Sequence, residues 1–260
     1  MKRKLQNITS KIPACVAIFL ILAVWMALSE TGIIPAYMLP SPVGVLKALV
    51  NDMDLILMHA KVTLTEAFIG LCIGIVLAFF TATLMDRFVV LDHAFYPIMI
   101  ITQTIPTIAI APVLVLWMGF GMAPKITLVV ITTFFPITVG LLDGYKSVDR
   151  DSIDLMRAMG ASRMQIFTNV KIPTAMPQFF SGLKISASYA VVGAVISEWL
   201  GGFEGLGVYM TRVKKAYAFD KMFAVIIFIV IISLLLMFIV GIVRDFSMPW
   251  IRVQKKQEQK

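Results

Sequence analysis

The sequence is poor in the groups that carry most enzyme chemistry. It holds 2 cysteines and 2 histidines in 260 residues. Cys15 and Cys72 both lie in apolar runs, so neither a disulfide framework nor a cysteine zinc site has support. His59 and His93 stand near the ends of apolar runs, and no H-E-x-x-H or G-x-S-x-G occurs. An intramembrane protease or metalloenzyme therefore lacks its usual reacting groups. The chain also has no G-x-x-x-x-G-K-[ST] phosphate loop and cannot hold ATP in that manner. Charge is scarce too: 15% of residues are charged, against about a quarter in a soluble domain. Acidic residues inside the apolar runs are few, with Glu66 and Glu198 near run ends. A proton-driven pump wants such groups near mid-membrane.

What is abundant is apolar surface. Hydrophobic residues make up 59% of the chain and are gathered into long runs, the pattern of an all-α, polytopic membrane protein. Six spans are expected, at about 13–28, 64–85, 95–120, 126–142, 179–200 and 222–243. They form one membrane domain over 13–243, with 1–12 before it and a flexible Lys/Gln/Glu tail over 253–260. The first span reads as uncleaved, because the basic stretch before it is not followed by a small-residue cleavage site. Between the first two spans, Ser41 before Pro42 marks the N-cap of an amphipathic helix over 43–57. Gly70 and Gly74 in the second span have the spacing that lets another helix approach closely. The third contains Pro97, Pro106 and Pro112 and should be kinked or broken.

The longest polar interruption runs from Asp149 to Pro177. Ile153, Met156 and Met159 recur at helical spacing beside Asp154 and Arg157, which predicts a short amphipathic helix. Gly160 ends it, and Ser162 with Gln165 forms a capping-box pattern for a second helix. Pro173 and Pro177 punctuate the entry to the fifth span. Such a helix suits contact with a partner, although it equally suits packing on its own spans or on the lipid surface.

The formal charge of +8 raises nucleic acid as a partner, but the basic residues lie between runs and at the termini, as topogenic charge does. With both termini inside, the 23 Lys and Arg divide sixteen to seven in favour of the inner segments. That places the termini and the 149–177 loop in the cytoplasm. The exception is a cluster from Arg212 to Lys221 on the outer side, readable as a docking patch or as scattered loop charge.

The long interruption resembles the EAA motif of permease subunits of ATP-binding-cassette importers: E-A-A, three residues, Gly, nine residues, I-x-L-P. Here Asp154-Leu155-Met156 stands for E-A-A, followed by Gly160 and by Val170-Lys171-Ile172-Pro173, with the spacing kept throughout. Further stretches look like the nitrate/sulfonate/taurine branch of these permeases. They include Leu39-Pro40-Ser41-Pro42, Thr104 to Ala109, Leu116 to Gly121, Phe134-Phe135-Pro136-Ile137 and Gly205-Leu206-Gly207-Val208. Riboflavin importers have similar permeases. The stretch from Gly193 to Leu200, followed by Gly201-Gly202, is most similar to the thiamine-precursor (hydroxymethylpyrimidine) group.

The resemblance implies a transport subunit, not an enzyme, in the prokaryotic inner membrane. It implies no cofactor on this chain; ATP and Mg would sit on separate cytoplasmic ATPase subunits. An extracytoplasmic solute-binding protein would deliver a small organic solute: a thiamine-precursor pyrimidine, a related vitamin, or a sulfonate- or nitrate-type anion. A second copy or a related permease would complete the pore. Under this reading Ile153, Asp154, Met156, Arg157, Met159, Gly160 and Ala161 form the ATPase-coupling segment. Candidates for the translocation path are Thr102, Gln103, Thr104, Pro106 and Thr107 around the third-span break, and Ser186, Tyr189, Ser197 and Glu198 on the fifth span. Small polar side chains in membrane bundles also serve as plain interhelical glue. The competing classes are a self-sufficient secondary transporter or channel, which needs a buried charge or ion site, and an intramembrane enzyme, which needs reactive groups that are missing.

Overall fold

The structure, a computed structural model, describes residues 12–250 except 33 and 36, with the side chain of residue 14 also left aside. The basic stretch through Lys11 and the Val253–Lys260 tail lie outside the described residues. Among the described residues the regular structure is helical throughout. The helices are α1 (Ile12–Glu30), α2 (Pro42–Asn51), α3 (Met53–Arg87), α4 (Val89–Thr104), α5 (Thr107–Met118) and α6 (Met122–Lys146). They continue as α7 (Arg150–Ala158), α8 (Arg163–Ile166), α9 (Ile172–Gly201), α10 (Leu206–Lys215) and α11 (Phe219–Ser247).

By length and composition four helical stretches can cross a membrane: α3, α6, Arg163–Gly201 and α11. The expected third span is instead a broken pair, α4 and α5, bent by 100°. The break falls at Ile105-Pro106, where the residue before proline is forced into extended geometry (φ −81°, ψ 123°). The first expected span, α1, is a shorter apolar helix. Between the first two expected spans the boundaries differ from the sequence reading. The amphipathic helix after Ser41 stops at Asn51, and α3 begins at Met53 rather than near 64. Asp52 makes the division, capping α2 in a non-helical conformation. The Ser41 cap is present, its hydroxyl accepting from the Gly44 amide at 3.1 Å.

The chain divides into two compact units, one falling within Met1–Met58 and Tyr209–Phe228, the other within His59–Val208 and Ile229–Lys260. In the first, Asp52 is the polar anchor. It pairs with Lys221 at 2.8 Å and accepts the Tyr209 hydroxyl. Burial works against its carboxylate, but the Lys221 and Tyr209 hydrogen bonds and the Lys221 charge outweigh this and hold its pKa below the ordinary value. Burial, together with the Asp52 hydrogen bond and charge, pushes the Tyr209 phenol up. On α10, Arg212, Lys214 and Lys215 are exposed.

In the second unit α3, α6 and α9 form the core, with Ala78 and Ala82, Ile137, Leu141 and Tyr145, and Ala175, Phe180 and Leu183 buried together. Small residues permit this. A β-carbon at Gly70 would collide with Val129, and one at Gly74 with the Thr133 hydroxyl, so both glycines mark where α3 meets α6. A β-carbon at Gly182 would strike the carbonyl of Pro136, the site where α9 lies against α6. The contact is sealed by the buried Ser186 hydroxyl, which donates to the Thr133 carbonyl at 2.8 Å.

Candidate functional site

The interruption after α6 folds into a tightly specified helix–turn–helix. Asp149 caps α7 by accepting from the Asp151 amide and the Ser152 hydroxyl, each at 3.2 Å. Asp151 in the first turn and Arg157 in the last both complement the helix dipole. At the other end Gly160 adopts φ +81°, a left-handed conformation that favours glycine. Its amide donates to the Arg157 carbonyl, and that of Ala161 to the Met156 carbonyl, both at 2.9 Å. This pair of bonds is a Schellman stop, the physical reason for glycine at that place. Two residues later the expected capping box is formed: the Ser162 hydroxyl accepts from the Gln165 amide, and the Gln165 side chain accepts from the Ser162 amide at 2.7 Å.

From Arg163 the chain is helical through Gly201, so the segment leading to Pro177 is not a loop. Phe167–Lys171 forms a π-helical turn just before Pro173. Proline cannot donate and crowds the preceding turn, and the wider turn relieves both. Lys171, within the motif, binds both carboxylate oxygens of Asp86 at 2.7 Å and ties this segment to the end of α3.

The stripe of α7 is placed differently from its sequence reading. Ile153 and Met156 are half-buried, and the solvent-facing apolar residues are Leu155 (63% exposed), Met159 (74%) and, after the turn, Met164 (68%). Asp154 and Arg157 form an exposed pair at 3.0 Å, a contact of small energetic worth. A stripe taken from Ile153 at i,i+3 spacing does not include Leu155 or Met164. The i,i+4 pair Leu155–Met159 carried the same periodic signal, and Met164 follows it past the turn.

The path candidates separate into two groups. Thr102, Gln103, Thr104 and Pro106 are exposed at the α4–α5 break, with Thr107 half-buried beside them. The Thr102 and Thr104 hydroxyls return to their own helix, donating to the Met99 and Ile101 carbonyls at 2.7 Å. On α9, Tyr189 is exposed, but Ser186, Ser197 and Glu198 are buried. Ser197 donates to the Ala194 carbonyl at 2.7 Å. Glu198, a path candidate from the sequence, accepts the Thr63 hydroxyl at 2.7 Å and the Gly207 amide at 2.6 Å within its own unit. Beside it Lys125 and Glu66 form a buried ion pair at 2.7 Å, and His59 Nδ1 accepts the Gly205 amide at 3.0 Å. Buried charge is therefore present in the bundle, but in a closed network. An open groove of about 550 Å³ lies elsewhere, along α6 and α9, with Phe135, Asp143, Gln178, Ser181 and Ile185 on its walls. Gln178 and Ser181 escaped the sequence reading because each is a lone polar residue near a proline.

Residues 70–253 match the family described as binding-protein-dependent transport system inner membrane component. The chain belongs to this family. It is 38% identical over 218 residues to a probable ABC transporter permease protein of Haemophilus influenzae, covering 84% of this chain and 89% of the relative. It is 36% identical over 240 residues to the formylaminopyrimidine transport permease protein of Halalkalibacterium halodurans, covering 92% of this chain and 95% of that one. In fold it is similar to the solved structure of an amino acid ABC transporter, with TM-score 0.60 and 16% identity over 77% of this chain and 95% of that one. The protein is thus a membrane permease subunit of an ABC importer, a transport subunit rather than an enzyme. The family works with ATPase and binding-protein partners, and the self-sufficient transporter and intramembrane enzyme readings fall away.

Proposed function

We propose that this permease carries a pyrimidine thiamine precursor, or a closely related small organic solute, inward across the cytoplasmic membrane. One observation carries the reading: similarity to the formylaminopyrimidine permease runs along nearly the whole of both chains, at 36% identity. Two copies of the chain pair around the solute. Both termini and α7 face the cytoplasm, where ATPase subunits holding ATP and Mg receive Leu155, Met159 and Met164 in a groove. Asp154 and Arg157 lie at its rim, and Gly160 and Ala161 hold the turn. The exposed apolar residues of a capped helix support this, because a rigid helix anchored by spans passes ATPase motion into the bundle. Solute contacts fall to the α4–α5 break and to the α6–α9 groove. There Phe135 offers a ring for a flat heterocycle, and Gln178 and Asp143 offer hydrogen bonds to its amino and ring-nitrogen groups.

The test is uptake into liposomes holding the permease with its ATPase, supplied with its binding protein. Uptake of a labelled aminopyrimidine that needs ATP, and that excess riboflavin or taurine does not suppress, supports the proposal. ATP-driven uptake of a sulfonate with none of the pyrimidine overturns the substrate assignment. Pyrimidine uptake driven by an ion gradient without the ATPase overturns the coupling assignment.

A further inference from the structure

A cleft of about 410 Å³ opens between the end of α3, the inner side of α7 and the turn that follows it. Its walls carry Arg87, Arg157, Arg163 and Lys171 against a single carboxylate, Asp86, and Thr83 lines it as well. Lys171 is already bound to Asp86, and Arg157 to Asp154. Arg87 and Arg163 are in no ion pair among the described residues, and both are exposed. Like charges gathered around one cavity repel unless an anion joins them. Guanidinium groups suit an anion with several oxygens, since each offers a planar fork of donors.

The position narrows the anion. Arg87 is the last residue of α3, a helix of membrane-crossing length and composition, so the cleft sits where that span leaves the apolar layer. Phosphate groups of lipids lie at that level, and basic pockets between span ends hold anionic headgroups. The apolar side of the cleft, with Leu84, Ile153, Ile166 and Phe167, suits the glycerol and upper chain of such a lipid.

We infer that this cleft binds a phosphate group, with Arg87, Arg163 and Arg157 as ligands and Thr83 as a further donor. Its occupation fixes α7 against the end of α3, because Arg157 and Ile153 belong to α7. The inference rests on the importer reading only for the side of the membrane that the cleft faces.

Binding is measured on the full-length permease in neutral detergent, so failure of the transport assignment leaves the test intact. Phosphatidylglycerol and phosphatidylcholine are offered in turn, and retained lipid is counted by native mass spectrometry. Retention of phosphatidylglycerol is expected, weakened about fivefold by Arg163→Gln or Arg87→Gln and about twenty-five-fold by both, from the ordinary effect of one basic residue near a charged surface. Arg163→Lys keeps most of the binding, and Arg150→Gln, at the start of α7 and off the cleft wall, leaves it unchanged. Inorganic phosphate separates the sources: if millimolar phosphate displaces the lipid and binds alone, the physiological ligand is a soluble phosphate. If it does not, the ligand is a headgroup. Equal retention of both lipids together with no phosphate binding overturns the site. So does retention that is unchanged in a double variant eluting as the wild type does. In the assembled transporter, a cysteine at position 163 that cross-links to the ATPase without altering lipid retention gives the cleft to a protein partner and overturns it as well.

Discussion

At its N-terminal end α6 offers Lys125 to Glu66 in a buried ion pair, beside a network that binds Thr63, Glu198 and the Gly205–Gly207 amides to one another. At its C-terminal end the chain passes into α7 and the turn after it, where polar groups are used for caps and Leu155, Met159 and Met164 face solvent. The first arrangement puts polar groups inside and turns them on each other. The second puts apolar groups outside, with their backbone held by Asp149, Gly160 and Ser162. A closed network of charges in a low-dielectric interior resists rearrangement, since each group loses its partner if it moves. An apolar face on a rigid, capped helix gains from covering. The difference supports a structural duty for the Lys125 end and is what the proposed partner contact at the α7 end requires.

The comparison can be broken most sharply at Lys125. Lys125→Met strands Glu66 in the interior and should destabilise the protein by about 3–5 kcal/mol. Thermal unfolding in detergent checks this, and Glu66→Met in the same chain should recover most of the loss. Recovery of none would mean that the pair does not act as a unit. The reverse pattern is expected at α7. Leu155→Ser with Met159→Ser should leave stability within about 0.5 kcal/mol. ATPase association, read by titration in detergent, should weaken by about 2 kcal/mol, roughly thirtyfold.

Gly160→Val tests the turn rather than the face. The left-handed conformation costs an L-residue about 1–2 kcal/mol, so the Schellman stop opens and ATP-driven uptake falls, while membrane insertion is unaffected. The smallest effect belongs to Asp52. Its folded pKa lies below the ordinary value, so the stability it contributes is complete above that value and is lost as pH falls through the folded one. Wild-type and Asp52→Asn proteins should therefore converge in unfolding midpoint at acid pH and diverge near neutrality. A constant difference would exclude this linkage.

Most of the α7 end was legible in the sequence. Its caps are short-range features, set by Asp149, Gly160, Ser162 and Gln165 over a few residues, and local hydrogen bonding needs no knowledge of the fold. Which face of α7 turns outward was not legible, because half-buried Ile153 lines a cleft with the end of α3, Ile166 and Phe167, groups that the local sequence does not bring together. The Lys125 end was read least well. Glu66 and Glu198 stood out as rare acids, but their partners Lys125, Thr63 and Gly207 lie 59, 135 and 9 residues away respectively. No periodicity signals such a meeting. The break before Pro106 was legible as a break and not as a 100° bend, since proline dictates the loss of helix and leaves the direction to packing.

The central claim, that the outward face of α7 is where the importer's ATPase takes hold, is tested most directly by a photoreactive side chain placed at position 159 in the reconstituted transporter. A cross-link to the ATPase subunit is expected from position 159, and none from the same group at Leu128, which is buried in the bundle. Cross-links from position 159 only to lipid or to the permease itself would contradict it.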